Sequence, residues 1–164
     1  MRRAGLPGVP HAGELRGPEH VAQVIEALRP TRLGHGVRTV EDPRLLDQVV
    51  AAGIAFEVCP ASNVQLGVYH RAADVPLRRL LDAGAQVALG ADDPLLFLSR
   101  LTDQYATARS VHGLNDAALA DLARSSIAAS FATDADKARW LDEVNAWLLG
   151  SGHGSPAVGT TARR

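Results

Sequence analysis

The sequence predicts an α/β fold on a parallel sheet, and three observations carry that prediction. Short apolar, β-prone runs alternate with segments of helical periodicity as far as Pro94. Glycine or proline punctuates nearly every junction. Residues that carry chemistry (His11, Glu14, His35, Asp92 and Asp93) fall where apolar runs end and loops begin. Strand–helix alternation implies βαβ units, and βαβ units imply parallel strands with helices packed on the sheet.

The elements follow in order. Gly8-Val9-Pro10-His11 reads as the end of a strand. Pro18 to Leu28 reads as a helix, with proline at its start and Pro30 beyond its end; Val21, Val24, Ile25 and Leu28 share one face. Thr31 to Gly34 forms a strand leading to His35. Asp42-Pro43 starts a second helix through Leu45, Leu46, Val49 and Val50, which Gly53 stops. Ile54 to Cys59 is the clearest strand, ended by Pro60. Ala61 to Ala73 reads as a long polar loop. Pro76 to Ala83 is a third helix closed by Gly84, and Ala85 to Leu89 is a fourth strand. Beyond Pro94 only helical periodicity remains, over 95–110, 115–130 and 134–149. Residues 1–149 therefore read as one domain, which the resemblance given below makes a partial one. Gly150 to Arg164, rich in Gly, Ser, Thr and Ala, reads as a disordered tail.

Composition sets the bounds. With 46% hydrophobic and 21% charged residues the chain reads as soluble and globular. Aromatics are only 4%, so Ala, Leu and Val must build most of the core. A formal net charge of −1 argues against a nucleic-acid footprint or a polybasic membrane surface. Cys59 is the single cysteine, which excludes an internal disulfide and suits a reducing, cytoplasmic setting. No apolar run approaches the ~18 residues needed to span a bilayer. The opening Met1 to Pro7 has no apolar core of a secretory signal.

Two parallel architectures compete: an open doubly wound sheet, and a (β/α)8 barrel of which only about four strands are present. Both place ligands at the C-terminal ends of strands. No G-x-G-x-x-G follows a strand, which leaves a dinucleotide-binding reading without support.

His11 and Glu14 lie three apart just past a strand: a metal ligand with a substrate-facing acid, or a solvent-facing loop with a capping acid. His35 sits between two glycines, which allow close approach of a substrate or backbone; its imidazole can accept a proton or polarise water, or can be a buried histidine bonded to a carbonyl. Asp92 and Asp93 diverge at a strand end, one suited to a metal and the other to a substrate; the alternative is a helix N-cap ahead of Pro94. Cys59, without a Cys or His partner at ligand spacing, reads as a small packed hydrophobe. Glu57 lies inside a strand as an acid of open role. His20, His70, His112 and His153 read as surface residues, and Arg78-Arg79 as a solvated helix face.

In their order, His-Ala-Gly-Glu, Arg-Leu-Gly-His-Gly, Glu-Val-Cys-Pro-x-Ser-Asn and Gly-Ala-Asp-Asp-Pro resemble the adenosine deaminase family of metal-dependent hydrolases, from about Arg3 to about Leu148. Ser126 to Phe131 looks like the family's C-terminal helices. The resemblance implies the C-terminal half of a (β/α)8 barrel followed by helices. It implies zinc-dependent hydrolytic deamination of a purine or purine nucleoside, with one Zn2+ per site. His11 and Asp92 match zinc ligands. Glu14 matches the acid that protonates a purine ring nitrogen, His35 the histidine that holds and activates the attacking hydroxide, and Asp93 the carboxylate that contacts substrate. Gly13 falls among the substrate contacts beside Glu14, and Ser62 and Asn63 match a loop beside the pocket.

The family's first barrel strand carries His-x-His, two further zinc ligands. This chain has no His-x-His, so its own ligand set is incomplete. Catalytic zinc usually keeps three protein ligands plus water. The sequence therefore reads as a fragment or a gene start placed too far downstream, as half of a barrel completed by an N-terminal half or by self-association, or as an inactive remnant. Arg2 to Pro7 then looks like the end of a helix preceding the fifth strand. Adenosine, adenine and modified nucleosides are all substrates of relatives. Gly90-Ala91 stands where many relatives carry polar residues, which weakens a specific assignment to adenosine.

Overall fold

The computed structural model describes residues 5–151. Four strands, β1 (His11–Ala12), β2 (Arg32–His35), β3 (Ala55–Val58) and β4 (Val87–Leu89), pair in parallel in the order β1-β2-β3-β4. Between them lie α1 (Pro18–Leu28), α2 (Pro43–Ala51), the short α3 (Pro60–Gln65) and α4 (Leu77–Asp82). Helices α5 (Leu101–Ser110), α6 (Asp116–Ala129) and α7 (Asp134–Ser151) follow the last strand. A doubly wound sheet reverses its strand order at a switch point. Here each new strand adds beside the previous one, so the doubly wound alternative falls, and the strand order is that expected of half a (β/α)8 barrel with trailing helices.

Register divides the sheet into two faces. Leu33, Phe56 and Val87 align across β2, β3 and β4; all three are completely buried, facing the helix layer. His11, Gly34, Glu57 and Ala88 align across all four strands on the other face and line an open cleft of about 320 Å³. One row is core and the next is site, the consequence of a side-chain period of two. The core continues through Val21, Val37, Val49, Leu77, Leu80 and Leu122. Each such aliphatic or aromatic side chain contributes about 1.5–3 kcal/mol on burial.

Helix boundaries follow local chemistry. Asp42 caps α2, its Oδ1 accepting from the amides of Arg44 (3.0 Å) and Leu45 (3.2 Å), and Pro43 occupies the first turn. Gly53 and Gly84 stop their helices with φ of +66° and +75°. On α1 the expected face is only partly buried: Val21 is enclosed while Leu28 is exposed. Paired extension begins ahead of β1, because the carbonyls of Gly8 and Pro10 accept from the amides of Thr31 and Gly34.

Five expectations need correction. The segment 61–73 is not a plain loop: α3 begins at Pro60 and a 3-10 turn spans Ala72–Asp74. Its polar Ser62 and Asn63 are fully buried, so side-chain polarity masked an ordered element. The helix expected from 95 begins only at Leu101. Asp93 captures the amides of Leu95 (3.0 Å) and Leu96 (2.9 Å) in a separate turn, and Arg100 and Asp103 cap α5 afresh. Arg78 and Arg79 are not simply solvated: Arg78 donates to the carbonyl of His112 and Arg79 to that of Val40, both at 2.9 Å. His20 and His112 are half-buried rather than on the surface; His70 is exposed, and His153 lies outside the described residues. Of Arg2 to Pro7, residues 5–7 are described and are not helical. Helix α7 runs on to Ser151, beyond which the residues read as a tail lie outside the described ones. Among the described residues, no helix is long and apolar enough to cross a membrane.

Candidate active site

The cleft is built at the C-terminal ends of the strands, where backbone conformation aims the side chains. His35 (φ +63°) and Asp92 (φ +58°) are two of four non-glycine residues with left-handed backbone among the described residues. Such conformations are costly for residues bearing a Cβ, and they gather at functional sites. His35 closes β2 and is 2% exposed. Asp92 follows β4 by three residues and Glu14 follows β1 by two. From these two directions Glu14 Oε1 comes to 3.5 Å and Asp92 Oδ2 to 3.7 Å from His35 Nε2. His11 stands on the cleft floor, its ring edge-on to that of His35 with centroids 5.0 Å apart and its Nδ1 3.9 Å from Glu14 Oε2.

Glycines make this approach possible. A Cβ on Gly34 would stand 2.6 Å from the His11 ring, so the imidazole lies across β2 only because position 34 has no side chain. A Cβ on Gly36 (φ +70°) would stand 2.4 Å from the buried Phe56 ring. Gly13, with φ +65°, is buried against Val21 and the backbone of Gly36, and turns the chain between His11 and Glu14.

Glu14 and His11 approach His35 from one side and Asp92 from the other, so that His11 and Asp92 fall in separate groups of donor atoms that share His35. Asp93 has a different placement: its Oδ1 caps the following turn and its side chain is exposed. Ser62 and Asn63, matched in the sequence to a loop beside the pocket, are instead buried helix residues that contact the site directly. Ser62 Oγ donates to Asp92 Oδ2 at 2.6 Å, and Asn63 Nδ2 is 3.1 Å from His35 Nδ1. The signal was available in the placement of two polar residues directly after Cys-Pro at the end of the most apolar strand. Glu57, of open role in the sequence, forms an ion pair with Arg32 at 3.1 Å, and Arg32 stacks on Phe131 (4.4 Å to the ring centroid), joining cleft floor to trailing helices.

Electrostatics follow burial. Desolvation pushes the His35 pKa below the ordinary histidine value; Glu14 opposes this, His11 reinforces it, and Asp92 and Glu57 oppose it. Burial, with the Asp92 and Glu57 charges behind it, pushes the Cys59 thiol up to about 12. Cys59 is thus a protonated, packed side chain as the sequence suggested, its Sγ donating weakly to the Glu57 carbonyl at 3.5 Å.

Two clusters of donor atoms, each within a 4.8 Å span, overlap at His35: His11 with Glu14, and Cys59 with Asp92. Imidazole nitrogen and carboxylate oxygen are suitable donors for zinc. By type His11 and Asp92 fit such an ion; by number, two protein ligands are one short of the usual catalytic set.

The sequence profile of the family described as Adenosine deaminase matches residues 1–147. A Streptomyces coelicolor protein named for adenosine/adenine deamination is 53% identical over 148 residues, covering 90% of this chain and 43% of that protein. The crystal structure of an adenine deaminase from Arthrobacter aurescens superposes with a TM-score of 0.87 at 36% identity, covering 90% of this chain and 45% of that one. A zinc-bound amidohydrolase from Burkholderia ambifaria superposes with a TM-score of 0.78 at 25% identity, covering 92% and 44%. The chain therefore spans somewhat under half the length of the proteins it matches.

Proposed function

The chain belongs to the adenosine deaminase family, and from that premise we propose that its cleft serves hydrolytic, zinc-dependent deamination of a purine or purine nucleoside. One observation carries this reading: two carboxylates and a second imidazole converge on buried His35 at the ends of parallel strands. His11 and Asp92 would hold the ion, with further ligands supplied from outside this chain. When bound, zinc makes water a nucleophile near neutral pH by lowering its pKa to about 7.

The chain's own groups then have separable tasks. Glu14, half-buried beside His35, delivers a proton to the purine ring nitrogen as the neighbouring carbon is attacked. His35 faces the same space through Nε2 and orients the attacking oxygen. Ser62 fixes the Asp92 carboxylate through its short hydrogen bond. Gly13, Glu14 and Asp93 are the substrate contacts in this reading, although Asp93 Oδ1 is engaged in its turn. Water replaces the amino group and ammonia leaves. The adenine and adenosine/adenine relatives favour those two compounds as first substrates to try. A buried, unpaired cysteine is compatible with a cytoplasmic location.

The test is ammonia release from adenine and adenosine with added zinc. The chain is assayed alone and together with the portion of the Arthrobacter aurescens enzyme that it does not cover. Turnover that falls ~100-fold or more in Glu14→Gln supports the reading, because a general acid contributes on that scale. Turnover indifferent to Glu14, or none in the complemented mixture, refutes it.

A second reading, an association module, has its own observation: among the described residues β1 and β4 each pair on one side only. Such edges seek partners. An N-terminal half barrel satisfies both edges at once, and a second copy of the chain is the alternative partner.

A further inference from the structure

The Arg78-Arg79 pair borders a pocket of about 250 Å³ where the turn Val37–Glu41, the first turn of α4 and the turn after α5 meet. None of the residues lining it lines the cleft. Its charges do not cancel. Glu41 is taken by Arg38, whose Nε and Nη2 stand 2.7 and 3.1 Å from its two oxygens. Asp74 is taken by Arg71, at 3.0 and 3.2 Å. Arg78 and Arg79 have no carboxylate partner among the described residues. Each directs one Nη2 at backbone carbonyls instead: Arg78 at His112 (2.9 Å) and Gly113 (3.4 Å), Arg79 at Val40 (2.9 Å). A guanidinium carries five N–H groups, so both keep donors free. Among the wall residues and their direct ion partners, four guanidiniums stand against two carboxylates, in a chain whose net charge is −1.

Two other walls are polar and incompletely engaged. Burial pushes the Tyr69 hydroxyl up to about 12, so it keeps its proton as a donor, and its bond to the Val37 carbonyl is long at 3.4 Å. His112 has Nε2 buried and without a partner. An unmet buried polar atom calls for an explanation, and a bound ligand is one. The donor set decides the class of that ligand. Planar guanidinium forks match the oxygens of phosphate in pairs, and a local positive excess disfavours cations. The volume of about 250 Å³ lies below the roughly 300–1,000 Å³ of pockets for drug-sized ligands, so the guest is small.

We propose that this pocket is a second ligand site of the chain, taking a small polyvalent oxyanion of the phosphate class held by Arg78 and Arg79. The site stands apart from the cleft and rests on no step of the deaminase reading, so either can fail alone.

The experiment is a titration of the 15N-labelled full chain with inorganic phosphate at constant ionic strength near neutral pH. NMR reads the Nε–H groups of Arg78 and Arg79 and the backbone amides of His112 and Gly113. The expected result is a saturable shift of these signals. Phosphate affinity should fall ~10-fold or more in Arg78→Gln and in Arg79→Gln, the scale of a lost charge-assisted hydrogen bond. Acetate, with a single charge, should bind more weakly than phosphate. Shifts that grow without saturating overturn the proposal, as do saturable shifts centred on His11 and His35 instead. Acetate binding as tightly as phosphate overturns it too. Arg79 also holds the Val40 carbonyl. If Arg79→Gln does not fold, Arg78→Gln, whose bonds are exposed, decides. Unchanged phosphate affinity in that variant overturns the proposal, and a loss of ~10-fold or more supports it.

Discussion

The same methyl group added at Gly34 or at Gly36, on either side of His35, should have opposite consequences. At Gly36 the backbone has φ +70° and a Cβ would stand 2.4 Å from the fully buried Phe56 ring. Left-handed backbone costs an L-residue roughly 1–2 kcal/mol, and overpacking a filled core costs about 1–3 kcal/mol. Gly36→Ala should therefore destabilise the fold by roughly 2–5 kcal/mol, a large part of the ~5–15 kcal/mol that holds a typical domain together. At Gly34 the Cβ would meet the His11 ring at 2.6 Å, but that side chain is 67% exposed and can rotate outward. Gly34→Ala should thus change stability by no more than about 0.5 kcal/mol, as other changes free of core strain do. It should instead weaken zinc binding by ~10–100-fold, the scale on which displaced support around a ligand is felt. Urea unfolding gives the first quantity and competition titration with a zinc chelator the second. Equal stability losses in the two variants, or unchanged zinc affinity in Gly34→Ala, would refute the reasoning.

Other consequences are as direct. Ser62→Ala deletes the buried hydroxyl that donates to Asp92 at 2.6 Å; unfolding by urea should show a loss of about 1.5–3 kcal/mol, the worth of a hydrogen bond to a charged group. Tyr69 and Tyr105 are the only tyrosines, and burial raises both pKa values, that of Tyr69 to about 12 from 10. A raised phenol pKa means the folded state keeps its proton where the unfolded state loses it. Stability contributed by Tyr69 is therefore complete below pH 10 and falls as pH rises through about 12, and that of Tyr105 changes in the same direction. Absorbance titration of phenolate should show no folded tyrosine ionising with a midpoint near 10, and the urea midpoint should decline over that window.

The fold was legible where one residue settles a local choice. Asp42-Pro43 announced α2, and Pro18 with Pro30 bracketed α1. Alternation of strand and helix gave the parallel sheet, but strand order lies in non-local pairing that periodicity does not encode. The segment 61–73 misled because Ser62 and Asn63 look like loop residues until their partners, Asp92 and His35, arrive from other strands. The turn after Asp93 was missed for a related reason: its leucines suit a helix, yet a carboxylate two and three residues earlier captures their amides. The placement of His11, Glu14, His35 and Asp92 in one cleft was legible because each lies in or just past a strand. That Asp92 approaches His35 while Asp93 caps the following turn goes with the left-handed backbone of Asp92, which sequence alone does not display.

The central claim is that His11 and Asp92, far apart in sequence, serve one metal ion. Calorimetric zinc titration of the chain, His11→Ala, Asp92→Asn and the double variant tests it most directly, since groups sharing one partner are not additive. The account predicts that either single change removes the site and that combining them loses nothing further. Losses that simply add, or a site that survives both changes, would contradict it.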